Sequence, residues 1–358
     1  MNDMKVSNQW ISRPDDQRFL TVDELYAKVS RRKVESSVRD VALDAMQVTA
    51  DDDNGIAITD GQSDPISLNH WSFSQLCQRA KAPAGYLRTL PAQLAVGPLQ
   101  WSMETHEAGD EANDAKLLIH RNGSTVVSAV TSPTYGRIWD ADVVSAVRER
   151  IDLDTWKVPA ASYSVRDPKR ATTLYASDRD VFIFLVNEQA IEADGEVLRR
   201  GFYVWNSEVG AATFGLATFT YDYVCDNRII WGQKDFKQIT IRHTSGGPHR
   251  FVASAVPQLA QYANAGTGQI AATVRAAKAK VVGRDKKSVI EWMRARGFTT
   301  PVASKAYEAA EQDPRGYNPR SVWGLVQGMT DAAHSIANTD ARTDIEARAG
   351  ALLESVAD

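Results

Sequence analysis

Asp178 and Asp180, with Glu208 farther along the chain, are the carboxylates whose spacing could serve phosphodiester chemistry. A two-metal mechanism needs several carboxylates on adjoining strands to hold Mg or Mn, and Asp178 and Asp180 share one face of any strand that continues through Val181. Against this, the two sit in a turn-like Ser-Asp-Arg-Asp, no Lys or His stands beside them at a motif spacing, and Asp-rich turns commonly end strands. A metal-dependent nuclease is therefore the alternative reading. The leading one has no cofactor and no catalytic residue. GxSxG, Walker, GxGxxG and HExxH patterns are absent, and the six histidines form no pair at helical ligand spacing.

A second set of side chains points to binding. From Asn227 to Ile290 there are eleven Lys or Arg against two acids, a net +9, which leaves −13 for the rest of a chain whose total is −4. Such an asymmetry implies a surface that attracts a polyanion, with nucleic acid the natural candidate. The cations singled out are Arg228, Lys234, Lys237, Arg242, Arg250, Arg275, Lys278 and Lys280. Tyr221, Tyr223 and Trp231 could stack bases, each stack worth about 1 to 3 kcal/mol. In the turn Thr131–Asp140, Arg137 beside Tyr135 can clamp a phosphate or can cap a carboxylate of the fold; the sequence leaves both open.

The elements that must position these groups follow from periodicity. Phe219, Tyr221, Tyr223 and Cys225 fall on one face of a strand, and Thr218, Thr220, Asp222 and Val224 on the other. Similar runs at Leu198–Trp205, Arg228–Trp231 and Phe236–His243, with breaks between them, predict four consecutive antiparallel strands. The aromatic face is expected to form a buried layer against the following helix or, alternatively, an open stacking platform. The alanine-rich run Phe251–Val282 predicts a long helix interrupted near Gly266–Gly268.

Elsewhere, Thr21 and Glu24 form a capping box that opens a helix, and Asp51–Gly55 is a hairpin turn rather than a calcium loop. Leu68–Leu94 predicts two short helices in a corner that buries Leu76, Tyr86, Leu87 and Leu90, although basic and aromatic neighbours also resemble a helix-turn-helix reader. Asn122-Gly123 is the strongest hairpin signal, joining strands Lys116–Arg121 and Ser124–Val130. A helix follows from Asp140 to Ile151. From Ser288 onward the pattern is helical, with a helix start at Tyr317–Ser321 and apolar Trp323, Val326 and Met329 behind it.

At 358 residues, 43% hydrophobic and 24% charged, the chain has the composition of a soluble globular protein with room for a substantial core. Cys77 and Cys225 have no CxxC partner, so neither a disulfide framework nor a zinc knuckle is expected. The first residues lack a signal-peptide pattern and no apolar run nears the roughly 20 residues of a membrane span. A bacterial cytoplasm without membrane contact is the expectation. The fold class expected is α+β: an antiparallel sheet meander packed against long helices. The divisions are a mixed region 1–115, a central sheet with its basic helix at 116–287, and a helical region 288–358.

The blocks WISRPDDQRF, HWSFSQLCQRAKAPAGYLRTLP, TSPTYGRIWDADV, LYASDRDVFIFL, RGFYVWNSEVGAATFGLATFTYDYVCDNRIIWG and SVWGLVQGMTDAAHSIANTDAR, in this order, resemble the phage- and plasmid-encoded family known as domain of unknown function 932. The resemblance covers nearly the full chain. It implies a mobile-element protein and brings no catalytic residue list. A meander followed by a long helix, with cations on the later strands, is also similar to the core of the ring-forming single-strand annealing proteins of recombination. This fold-level analogy implies a non-enzymatic protein that binds or anneals single-stranded DNA, possible as a homo-oligomer. A phage protein that binds a host defence or replication factor is a further alternative.

Overall fold

A computed structural model describes residues 13–105, 113–158, 172–222, 228–229, 238–334, 345, 348–353 and 355. Two sheets and a set of helices make up an α+β fold, as expected. The strands are β1 (Arg18–Phe19), β2 (Ser36–Ala42), β3 (Gln47–Ala50), β4 (Ile56–Thr59), β5 (Ile66–Leu68), β6 (Asp114–Asn122) and β7 (Ser124–Thr131). They continue with β8 (Trp156–Lys157), β9 (Leu174–Ala176), β10 (Val181–Asn187), β11 (Ile191–Ala193) and β12 (Glu196–Asn206). The last are β13 (Phe214–Asp222), β14 (Arg228–Ile229) and β15 (Ile239–Ile241).

The smaller sheet has the order β2-β6-β7-β5-β4-β3, antiparallel except where β5 runs parallel to β7. Its centre is the Asn122-Gly123 hairpin, whose Gly123 takes φ 73° as the tight turn requires. The division expected at 115/116 falls inside β6, and the hairpin pairs with β2 and β5 of the N-terminal region. Helices α2 (His70–Arg79) and α3 (Ala92–Glu104) cover the sheet, burying Leu76, Cys77, Leu99 and Met103. Tyr86, expected in that core, is exposed, while Leu87 is buried. Asp51 Oδ1 accepts from the backbone of Asp53 and Gly55, closing the β3–β4 turn.

The larger sheet has the order β1-β9-β10-β12-β13-β14, with β8 beside β10, β11 beside β12 and β15 beside β13. Helix α1 (Val22–Val34) packs on it with α4 (Asp140–Arg150) and α5 (Val256–Asn264). Thus residues near both termini of the expected domains interleave. The Thr21–Glu24 capping box is present, with Glu24 N 3.1 Å from Thr21 Oγ1, and Val22, Leu25 and Val29 form the buried stripe. Ile183, Leu185, Phe202, Val204, Phe214 and Leu216 face these helices.

The opposite face is aromatic. Tyr175, Phe182, Phe184, Trp205 and Phe219 are buried there, and Tyr203 stacks between Phe182 and Trp205 at 6.2 and 5.7 Å. Gly201 and Gly215 make this possible: a Cβ on either would stand 2.0 Å from the Phe219 ring or 1.9 Å from the Trp205 ring. The aromatic face is therefore buried, but on the side away from the helices rather than against them. Phe219 is no open platform.

The four-strand meander also resolves differently. β14 pairs with Thr220 and Tyr221, and β15 with Phe214–Leu216, so both lie antiparallel along the same edge of β13. They are two segments in line, not successive neighbours. The long helix is broken at Ala265–Thr267, as expected, into α5 and α6 (Gly268–Ala279), with a wider helical turn at Phe251–Ala255 preceding α5.

Helix α6 packs with α7 (Lys286–Arg294), α8 (Thr300–Gln312) and α9 (Val322–His334) around Trp323, Val326 and Met329. The C-terminal core therefore starts inside the segment expected to belong to the sheet. Among the described residues no helix is long and apolar enough to cross a membrane.

Candidate functional site

Behind the β12 end marked by Asn206, charged side chains from remote parts of the chain converge. Arg32, in the last turn of α1, places Nη2 2.5 Å from Asp140 Oδ2 and Nε 2.8 Å from Glu208 Oε1. Its Nη1 donates to the Ser177 carbonyl. Asp140 opens α4 and has no solvent exposure; Asn206 Nδ2 donates to its Oδ1 at 2.7 Å, and its own backbone N donates to Glu208 Oε2 at 3.0 Å. Burial pushes the Asp140 carboxyl well above its ordinary range, the Glu208 charge adds to this, and Arg32 opposes it. Beside this group Arg13 grips Asp180 with both nitrogens, at 2.8 and 2.6 Å.

Two of the three carboxylates set out for metal chemistry are thus engaged by guanidinium groups, and the third, Asp178, is exposed. Asp180 belongs to Arg13 and Glu208 to Arg32. Among the described residues no group of three or more His, Cys, Asp or Glu side chains is arranged to hold a metal ion. Arg13 and Arg32 are the partners that sequence reasoning missed. Their pairing bridges 167 and 108 residues to Asp180 and Asp140, a distance over which no local motif exists.

Arg137 lies within the same junction. Its guanidinium stands 5.1 Å from the Tyr135 ring centroid and 5.6 Å from that of Trp139, and Nη1 donates to the Glu208 carbonyl. Burial lowers its pKa. His243 stacks on Tyr135 at 5.1 Å and 5°, accepts from Ile138 N through Nδ1, and is pushed down to about 4 by burial and then by Arg137. The imidazole is neutral at pH 7. In this structure the Arg137 guanidinium anchors a main-chain carbonyl of the fold rather than capping a carboxylate. The loop after Asn206 is pinned from α2 by Trp71 Nε1 and Gln75 Nε2, which donate to the Val209 carbonyl at 3.0 and 2.8 Å.

The remaining cations separate into two groups. Arg242 and Arg250 are exposed where β15 ends, and Arg250 Nη2 donates to Thr244 Oγ1 at 2.8 Å. Gly136 fits this loop to the junction, since a Cβ there would stand 2.0 Å from the Thr244 carbonyl oxygen. Arg275 and Lys280 are exposed at the other end of the sheet, together with Arg284 and Lys287. Among the described residues Arg242, Arg250, Arg275 and Lys280 form no ion pair with a carboxylate, whereas Arg284 and Lys287 flank the Asp285 carboxylate and interact with it electrostatically. Lys278 is paired: its Nζ is 2.6 Å from Glu196 Oε1. The ends of β12, near which the groups lie, are about 30 Å apart at roughly 3.3 Å per residue. The expected continuous band is therefore two patches among the described residues, because the cations flank opposite ends of the strands.

Arg228 enters the sheet through β14, its backbone opposite Tyr221. Lys234, Lys237, Tyr223 and Trp231 lie outside the described residues, in the chain that leads from Tyr221 past β14 to β15. No family model, no curated protein and no solved structure matches this chain.

Proposed function

We propose that this chain is a non-enzymatic protein that binds single-stranded nucleic acid through its phosphates, with the strand running from the Arg275 and Lys280 end of the larger sheet to the Arg242 and Arg250 end. The observation that carries this reading is the contrast in charge pairing: among the described residues the exposed Arg242, Arg250, Arg275 and Lys280 form no ion pair with a carboxylate, while Asp140, Asp180, Glu196 and Glu208 are paired inside the fold. An unpaired exposed cation gives up little of its own on meeting a phosphate and releases condensed counterions from the strand. The resemblance to the phage and plasmid family, and the analogy with annealing proteins, are in keeping with single-stranded DNA in a mobile-element setting and with a homo-oligomer.

A length series of fluorescent oligonucleotides, titrated at several salt concentrations, tests this. Binding should strengthen with length until the strand spans about 30 Å, and weaken steeply with salt. Affinity that is independent of both length and salt would refute it.

A further inference from the structure

At the Glu196 end of β12, a cavity of about 410 Å³ opens between the β11–β12 turn, the end of α6 and the start of α9. Its walls include Glu196, Lys278, Arg315, Tyr317, Asn318 and Trp323. That volume is in the range that holds small organic ligands and is far more than one water needs.

Three features define what it could take. First, the Arg315 guanidinium lies 4.5 Å from the Tyr317 ring centroid and is fixed by Asp313 at 2.9 Å, which makes a flat, charged wall suited to a planar heterocycle. Second, the buried Glu196 carboxylate accepts from Lys278 Nζ at 2.6 Å, Trp323 Nε1 at 3.2 Å and Tyr317 Oη at 2.8 Å. A carboxylate has about four acceptor positions, so these three donors leave about one for an N–H of a ligand. Third, the exposed Asn318 side chain accepts from Arg320 N through Oδ1, and its Nδ2 has no partner among the described residues. At the rim, Arg275 stands one helical turn before Lys278, and Arg320 follows Asn318 by two residues.

We infer that this cavity receives one nucleotide unit, its base lying on the Arg315–Tyr317 stack with an exocyclic amino group donating to Glu196, and its phosphate toward the rim cations. The inference rests on the nucleic-acid reading and adds to it a preference that phosphate contacts alone cannot provide. Adenine, cytosine and guanine carry an exocyclic amine; thymine and uracil do not.

The test is calorimetric titration of the full chain with dAMP, dCMP, dTMP and inorganic phosphate at fixed salt. Oligonucleotide binding is followed in parallel. Two variants are compared: Arg315→Gln, and Asn318→Trp, which plugs the mouth from an exposed position. The expected result is that dAMP and dCMP bind about tenfold more tightly than dTMP or phosphate, and that both variants weaken this about tenfold while still unfolding in one cooperative thermal transition. If Arg315→Gln does not fold, Asn318→Trp decides. Oligonucleotide binding without mononucleotide binding overturns the cavity assignment and leaves the strand reading standing; loss of both overturns both. Phosphate binding as tightly as dAMP, or dAMP binding unchanged in Asn318→Trp, also overturns it.

Discussion

The ionic junction at Arg32 and the cation patches at the ends of the larger sheet use the same residue types in opposite ways. In the junction, Arg32 is shared by Asp140 and Glu208, and the buried charges are intelligible only as a set. At the patches, Arg242, Arg250, Arg275 and Lys280 are exposed and, among the described residues, form no ion pair with a carboxylate. Desolvation explains the difference. A buried charge needs its counter-charge in place, whereas an exposed one is solvated by water and remains available to a ligand. Pairing, rather than residue type or local charge density, separates the groups that hold this fold from those that could bind.

The largest blow to that contrast is Arg32→Met. It leaves two carboxylates buried without their cation and should cost about 3 to 5 kcal/mol in urea unfolding, and a loss near zero would show that the junction is not what holds α1 to the sheet. Gly136→Ala drives a Cβ against the Thr244 carbonyl and should cost about 1 to 3 kcal/mol, checked by thermal unfolding. At the patches, Arg242→Gln with Arg250→Gln should leave stability within about 0.5 kcal/mol, weaken oligonucleotide binding about tenfold and lower the salt slope by about 1.4. Unchanged affinity would erase the distinction between the regions. Thr21→Ala removes the cap of α1 and should cost about 1 kcal/mol without altering oligonucleotide binding.

A pH series sharpens the same comparison. The Asp140 carboxyl has a folded pKa raised above its ordinary value of 3.8, so the folded state holds that proton more tightly than the unfolded chain does. The associated stability is fully present below pH 3.8 and is lost as pH rises through the raised value. Asp140→Asn should flatten this part of the stability profile, read by chemical unfolding at successive pH values. A profile as steep as that of the unaltered chain would assign the titration elsewhere.

Much of the local structure was legible before any coordinates. The Thr21–Glu24 box, the Asn122-Gly123 hairpin, the Asp51 turn and the break after Ala265 each depend on residues a few positions apart, whose backbone preferences act without distant help. Phe219 was placed on the right face of its strand, but which side the helices would cover was not readable, because alternation separates two faces without naming their neighbours. The same limit turned β14 and β15 from successive strands into two segments on one edge, and assigned the 116–131 hairpin to the smaller sheet. Of the site, the excess of cations was visible as composition; Arg32 and Arg13 were not, and neither was the cavity beside Glu196.

The order of residues alone determined the charge imbalance, the turn and cap positions, and the two-residue rhythm of the strands, since all of these depend on neighbours in sequence. Only the tertiary structure decided which cations are neutralised, that those left over lie in two patches about 30 Å apart, and that Asp180 and Glu208 answer to different arginines. The physical reason is that ion pairing and burial depend on distance in space, and folding here joins side chains more than a hundred positions apart.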